Sequence, residues 1–429
     1  MKNDNRIPKG YKMTEVGVIP EDWEVKTLSE MCIKIQDGTH FSPSLGGSDY
    51  LYLTSKNIGY GNLILDNIDT IDQSQHKKIY SRCDVKKGDV LLTKDGVNTG
   101  NAALNILDEE FSLLSSVAFL RFNPAKYDAN HFLQQILSPD GQKRIKDLMS
   151  GNAITRLTLE KIHRIHFPVP PLPEQRSIAR VLSDTDELIN ALDKLIAKKR
   201  DIKKAVMQEL LTGKTRLPGF SGKWEVKKLG DLGIFLKGSG VKKNESLSGD
   251  LPCIRYGEIY TKYNYYIKEI YSYISHEVAS TATKMEKNDI LFAGSGETKE
   301  EIGKCVAFVH DLEAYAGGDI IILRPYKPYK IDSIFLGYYL NSAPISKQKA
   351  SKGQGDAVVH ISTKALSMIE VKIPSVDEQR SIAQVLSDMD SEITALEQRR
   401  DKTKAIKQGM MQALLTGRIR LPKEDTNDA

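Results

Sequence analysis

The chain is poor in the residues that build metal sites and disulfide scaffolds: 429 positions hold four cysteines, eight histidines and two tryptophans. Cys32, Cys83, Cys253 and Cys305 are so widely spaced that neither a CxxC metal pair nor a dense disulfide framework can be drawn, and reduced, mostly buried thiols are expected. No stretch approaches the ~18–20 apolar residues of a membrane span. The opening Met1-Lys2-Asn3-Asp4 leads into no apolar run of the kind a secretory signal needs, so the expected compartment is the cytoplasm, with no membrane partner. An excess of one charge is also lacking. Sixty-one basic residues face 56 acidic ones, and the net charge of +5 does not by itself argue for nucleic acid. A 40% hydrophobic, 27% charged composition is that of an ordinary folded protein, and at roughly 150 residues per domain the length allows about three folded units.

The informative feature is an internal repeat. Glu174-Gln-Arg-Ser-Ile-Ala-Arg-Val-Leu-Ser-Asp-Thr-Asp186 returns as Glu378-Gln-Arg-Ser-Ile-Ala-Gln-Val-Leu-Ser-Asp-Met-Asp390, an offset of 204 that persists to Leu210-Leu-Thr-Gly213 and Leu414-Leu-Thr-Gly417. About 26 of 45 positions from Glu174 to Pro218 are identical to their counterparts. Upstream, Trp23-Glu-Val returns as Trp224-Glu-Val. The expected organisation is a variable domain over residues 1–170, a well-matched helical segment over 171–222, a second variable domain over 223–373 and a second helical segment over 374–429.

Each matched segment predicts one long helix. Pro168, Pro170, Pro171 and Pro173 end the preceding strand and favour a start near Glu174; Gly213 and Pro218 supply the stop. The helix so bounded has roughly 38 residues and spans about 57 Å. Ile178, Val181, Leu188, Leu192, Leu195, Ile202 and Val206 occupy heptad a and d positions, with Leu182, Ile189, Ile196 and Leu210 widening the stripe. The second copy repeats it with Ile382, Val385, Leu386, Met389, Ile393, Leu396, Ile406, Met410 and Leu414, interrupted by Arg399 and Arg400. Two such stripes in one chain predict that the helices pair; an antiparallel pair would give the fold an approximate two-fold axis. The basic run Lys198, Lys199, Arg200, Lys203, Lys204 reads as a solvated face before it reads as a phosphate patch.

The variable domains read as α+β. Asp89–Thr93, Ile58–Ile68, Val117–Phe122, Asp289–Ala293 and Ile320–Leu323 are strand-like, and the segments from His131 to Met149 and from Ile331 to Ala350 helical. Their loops agree in spacing and differ in chemistry. Thr54-Ser55-Lys56-Asn57 aligns with Arg255-Tyr256-Gly257-Glu258; Lys94-Asp-Gly-Val-Asn98-Thr99 with Gly294-Ser295-Gly-Glu-Thr298-Lys299; Ile154-Thr155-Arg156 with Val358-Val-His360. These polar types can read major-groove edges, and on that ground they are the candidate DNA contacts, although for any one of them taken alone an ordinary surface-loop role is the first reading. Seven tyrosines from Tyr256 to Tyr273, interleaved with Lys262 and Lys268, fit either base stacking or a half-buried strand pair.

Catalytic patterns are thin. Asp289, Glu297 and Lys299 could form a nuclease set, but the first copy offers Asp89, Val97 and Thr99 there. His163 and His166 have no companion ligands, and Ile162 and Ile165 beside them point to a strand face. Gly238-Ser-Gly240, Gly294-Ser-Gly296 and Gly353-Gln-Gly355 are glycine pairs without a P-loop lysine. No metal site is expected.

Taken together, Gly17-Val-Ile-Pro-Glu-Asp-Trp23-Glu-Val, Pro171-Leu-Pro-Glu-Gln-Arg-Ser-Ile-Ala179, Leu210-Leu-Thr-Gly213 and their later copies make the chain similar to the specificity subunit of type I restriction-modification systems. The resemblance implies two target-recognition domains, each reading half of a split site in double-stranded DNA, and two helices paired as an antiparallel coiled coil that sets the distance between the halves. It also implies a subunit without catalytic activity or bound cofactor. The implied partners are two methyltransferase subunits using S-adenosylmethionine and restriction subunits using ATP and Mg²⁺. A related system with a fused methylase-nuclease is equally compatible, and the residues alone leave a coiled-coil interaction scaffold without DNA preference as the alternative. The second copy departs from the pattern in having Ser375-Val-Asp377 where the first has Pro171-Leu-Pro173.

Overall fold

The computed structural model describes residues 7–149, 156–355 and 358–421. It divides into two compact units whose boundaries run through both long helices: the first combines the chain up to Asp193 with the chain from Gln398 onward, and the second is Lys194–Glu397.

The first unit is built on a four-stranded antiparallel sheet in the order Cys32–Asp37, Val117–Phe122, Val90–Thr93, Ala102–Leu104. The central strands are apolar on both faces because both are covered: Leu92 and Leu120 join the core with Phe132 and Ile178, while Leu91 and Phe119 join Tyr52, Ile71 and Phe111. A three-stranded sheet of Asp69–Ile71, Tyr50–Leu53 and Ser112–Leu113 carries the second cluster. The second unit repeats the main sheet with Gly233–Lys237, Ile320–Pro325, Ile290–Ala293 and Cys305–Ala307. Even the register agrees: Val117 pairs with Thr93, and Ile320 with Ala293. An ion pair braces the same strands in both. Arg121 grips Asp89 at 2.9 and 2.8 Å, and Arg324 grips Asp289 at 3.0 and 2.8 Å.

Leu172–Leu210 and Val376–Leu414 are the two 39-residue helices, each about 58 Å long. They pack antiparallel. In the first unit Asp186 pairs with Lys407 at 2.7 Å while Asp193, further along, pairs with Arg400 at 3.3 Å and Lys404 at 3.8 Å. In the second, Lys199 reaches Glu392 at 2.6 Å, Lys203 reaches Asp390 at 2.5 Å and Arg216, beyond the helix, grips Glu378. The partner's number falls as the first rises.

The motif residues have local reasons. Gln175 accepts the Asp128 backbone N–H at 2.9 Å and donates to the Pro170 carbonyl at 2.8 Å; Gln379 treats Asp332 and Pro374 alike, at 2.9 Å each. Each glutamine thus ties the start of its long helix to the N-cap of a domain helix. Gly213 and Gly417 both have φ of +69°, the left-handed stop that glycine adopts freely. Over each lies a tryptophan, Trp224 over Gly213 and Trp23 over Gly417. In the first unit Trp23 Nε1 also donates to Glu174, at 3.1 Å, and Arg420 spans Glu174 and Asp22.

Several expectations are corrected. Ile58–Ile68 is not a strand: only Ile58 and Leu63 bridge, because Gly59 and Asn62 close a turn and Asn67 takes φ of +52°. The tyrosine-rich segment is not a strand pair. Tyr256–Thr261 is helical, started by the Glu258 carboxylate accepting the Arg255 N–H at 2.9 Å, and Tyr273 alone of the seven lies in a strand. Ile162 sits on the short helix Leu159–His163 rather than a strand face. The two helical segments are each broken, into Ala129–Leu137 with Pro139–Met149 and Ser333–Tyr339 with Ala343–Ala350. All four cysteines are free, three of them buried. Among the described residues no helix is long and apolar enough to cross a membrane.

The buried seam of each helix also differs from the a/d assignment. Ile178, Leu182, Ile189, Leu192, Ile196, Lys203 and Leu210 are buried, whereas Leu188, Leu195 and Ile202 are about 40% exposed. The column one place on from d faces inward. On the second helix Ile382, Leu386, Ile393 and Leu414 are buried, Val385, Met389, Leu396 and Met410 half-buried, and Ile406 exposed.

Candidate nucleic-acid interface

In the first unit the three predicted places come together. Asn98 Nδ2 donates to the Ser55 carbonyl at 3.5 Å, and Arg156 pairs with Asp95 at 3.1 Å. Their individual roles diverge. Thr54 caps the short turn Ser55–Asn57, and Asn57 is buried, accepting the Thr54 N–H at 2.9 Å and donating to the Ile64 carbonyl at 3.2 Å. Lys94 is buried too, its ammonium 3.2 Å from the equally buried Asp37. Both are committed inside the domain. Thr99 donates to Gly96 at 2.6 Å and so tightens the loop whose tip is the fully exposed Val97. Lys56 is exposed and Ser55 half-buried. Thr155 lies outside the described residues.

The second unit assembles its counterparts with other chemistry. Ser295–Gly296 pairs with Val359–His360, and the Ser295 hydroxyl meets His360 Nδ1 at 2.9 Å. Tyr260 donates to the Ser295 carbonyl at 3.0 Å. Thr298 caps the following turn by accepting the Glu301 N–H at 3.3 Å, which leaves Lys299 and Glu297 exposed. Arg255 is half-buried beside Glu258, and Tyr256, the first residue of the helix Tyr256–Thr261, is 41% exposed. Of the residues considered for a nuclease, Asp289 is locked by Arg324, as Asp89 is by Arg121, so it belongs to the sheet. No cluster of three or more His, Cys, Asp or Glu suited to a metal occurs among the described residues.

Each unit carries a cleft beside these loops. That of the first, about 1,150 Å³, is framed by His40, Phe41, Lys78, Arg82, Lys94 and Arg156. That of the second, about 780 Å³, is framed by Tyr256, Tyr260, Glu297, Glu300, Lys304 and Lys349. Burial lowers the affinity of the Lys304 and Lys349 amines for a proton. Reading loops alone missed His40, Phe41, Lys78 and Arg82; the cluster Lys77-Lys78 with Arg82 at the end of helix Gln73–Tyr80 was the available signal.

The type I restriction modification DNA specificity domain matches twice, over residues 20–203 and 221–408. The chain belongs to this family. Among its relatives in Methanocaldococcus jannaschii, the family includes the putative type I restriction enzyme MjaX specificity subunit, 25% identical with 96% of this chain and 97% of that one covered. It also includes the MjaVIII specificity subunit, 26% identical with 94% of both chains covered. The fold is that of the type I restriction-modification S subunit from M. genitalium, with a TM-score of 0.58 at 18% identity, over 96% of this chain and 98% of the other. Family membership thus accounts for the doubled plan: one domain description fits both halves of the chain.

Proposed function

We propose that the chain is the DNA-specificity subunit of a type I restriction-modification complex, each recognition domain reading one half of a bipartite, asymmetric site. The observation that carries this reading is the pairing of a shared frame with unlike loops. Strand register, the Arg121–Asp89 and Arg324–Asp289 braces and the glutamine ties recur in both units. At the same places the loops offer Lys56, Asn98 and Arg156 in one unit and Tyr256, Lys299 and His360 in the other. Equal frames with unequal side chains suit a split site whose halves differ in sequence.

In this reading the subunit is not itself catalytic. It binds no cofactor; S-adenosylmethionine, ATP and Mg²⁺ belong to methyltransferase and restriction subunits, and the long helices dock the former and fix the spacer. The complex works on cytoplasmic DNA. Single-molecule methylome sequencing of cells carrying the neighbouring methyltransferase, with and without this chain, tests it. A two-part methyladenine motif appearing only with the chain is expected. Unchanged methylation, with partner expression and assembly verified, refutes the reading in favour of an interaction scaffold.

A further inference from the structure

The two clefts differ in charge, and with the proposed DNA reading as its basis this difference has a consequence. Lining cations in the first unit are Lys78, Arg82, Lys94 and Arg156; the anions are Asp37 and Glu160, leaving a formal charge of four minus two, +2. Lys94 is spoken for by Asp37, Arg156 by Asp95 and Glu160 by Arg164. Lys78 and Arg82 are not: both are exposed, and neither side chain makes an ion pair or hydrogen bond among the described residues. They project from one helix end, where Arg82 N–H bonds to the Ile79 carbonyl at 3.1 Å and the buried Ile79 and Cys83 anchor the turn. Phe41 stands at the rim, 48% exposed.

In the second unit the cleft has two lysines, Lys304 and Lys349, against Glu297, Glu300 and Glu301, two minus three, −1. Those lysines are occupied with backbone. Lys304 donates to the Tyr260 and Tyr263 carbonyls at 3.2 and 2.8 Å, and Lys349 to the Gly303 carbonyl at 2.7 Å. The internal ion pair is missing as well. Gly294, bonded to the Asp319 carbonyl, stands where Lys94 is bonded to Ser116, and Lys237 pairs with Ile321 in the sheet as Asp37 pairs with Ala118.

We propose that the first-unit cleft holds the sugar-phosphate backbone of the DNA, with Lys78 and Arg82 as the phosphate donors and Phe41 packed against the adjoining sugar, while the acidic second-unit cleft makes no such contact. Free cations around a concave wall attract phosphate and release counterions on binding. Carboxylates such as Glu297 and Glu300 repel phosphate and instead accept from base amino groups. Backbone grip and its salt dependence therefore reside on one half-site.

The test measures binding of the full chain, assembled with its methyltransferase subunits, to a duplex carrying its bipartite site and to a scrambled duplex, across a salt series. Lys78→Ala and Arg82→Ala each weaken both duplexes by the same factor and shallow the log–log salt slope by about 0.9 per lost phosphate contact; Lys78→Arg restores it. Lys87→Ala, which removes an exposed partner of Asp108 outside the cleft, leaves the slope unchanged. Unaltered slopes in Lys78→Ala and Arg82→Ala, with site preference intact in the unsubstituted complex, overturn the proposal alone. So does a changed base preference without a changed slope. An unsubstituted complex that does not distinguish the two duplexes overturns the DNA-specificity reading, and this proposal falls with it.

Discussion

The Lys203 ammonium lies 2.5 Å from the Asp390 carboxylate, and its repeat-related twin, Lys407, lies 2.7 Å from Asp186. The two lysines stand in the inward-facing column where an apolar residue would be expected, Lys203 buried and Lys407 half-buried, and each half-buried aspartate takes a further donor from the adjoining domain, Tyr338 at 2.5 Å for Asp390 and Gln134 at 3.0 Å for Asp186. Lys203 also lies over the rings of Tyr265 and Tyr338, at 4.4 and 5.4 Å. A charge in a seam is favourable only in the register that brings its partner opposite, so these pairs specify helix alignment as well as stability.

Lys203→Met leaves the half-buried Asp390 without its cation, though still with the Tyr338 hydroxyl. The expected loss is about 1–2 kcal/mol, between the values for an exposed and a fully buried pair. Adding Asp390→Leu to Lys203→Met recovers part of it. Urea unfolding of the two single variants and the double variant, as a double-mutant cycle, checks both the size and the coupling.

The two helix-ending glycines predict unequal costs for one substitution. Alanine at either must hold a φ of +69°, worth about 1–2 kcal/mol. At Gly417 the added Cβ would also come within 2.5 Å of the Pro20 ring, whereas at Gly213 it meets Trp224 at 3.3 Å or more. Gly417→Ala therefore lowers the melting temperature further than Gly213→Ala, and equal effects would refute the packing argument.

His131 is fully buried, its Nδ1 has no partner among the described residues, and burial pushes its pKa down to about 3. The unfolded chain binds that proton near pH 6.5 and the folded one does not. Stability is thus held above about pH 6.5 and lost progressively as the pH falls from there toward 3. Phe335 occupies the equivalent position of the second unit, three residues after its N-cap Asp332, as His131 follows Asp128. His131→Phe should remove about 1 kcal/mol of the stability lost between pH 7.5 and 5.5, read from urea midpoints at the two values.

Exchange of residues 223–373 for the same domain of another family member is expected to change one half of the methylated motif and leave the other intact. Methylome sequencing reads both halves at once. Altered preference in both would contradict independent reading by the two domains.

Much of the frame was legible because the repeat compares the chain with itself. Identities at Glu174/Glu378, Gln175/Gln379 and Gly213/Gly417 mark residues whose bonds the fold cannot lose. The seam was misread because the first helix is apolar in two adjacent columns. The second helix discriminates between them: it has Glu392 and Arg399 in the column of Leu188 and Leu195, but Leu386, Ile393 and Leu414 in that of Leu182, Ile189 and Leu210. Loop chemistry was less legible still. Asn57 and Lys94 look like free donors in a row of letters, yet the bonds that consume them come from Ile64 and Asp37, which no local pattern connects to them. Lys78 and Arg82 escaped notice because a short basic helix end resembles any solvated surface.

Trp23 and Gly417 stand at opposite ends of the chain, yet they touch. A ribosome adding about 5–20 residues per second takes roughly 20 to 80 s to travel from one to the other. Until the end of that interval the core around Trp23, Ile178 and Leu182 lacks Met411, Leu414 and Leu415, and before it closes the second unit, whose parts are contiguous from Lys194 to Glu397, has been made in full. The first unit to be translated is therefore the last to be finished, and a chain broken off shortly before its end keeps an open apolar face that quality-control proteases can recognise.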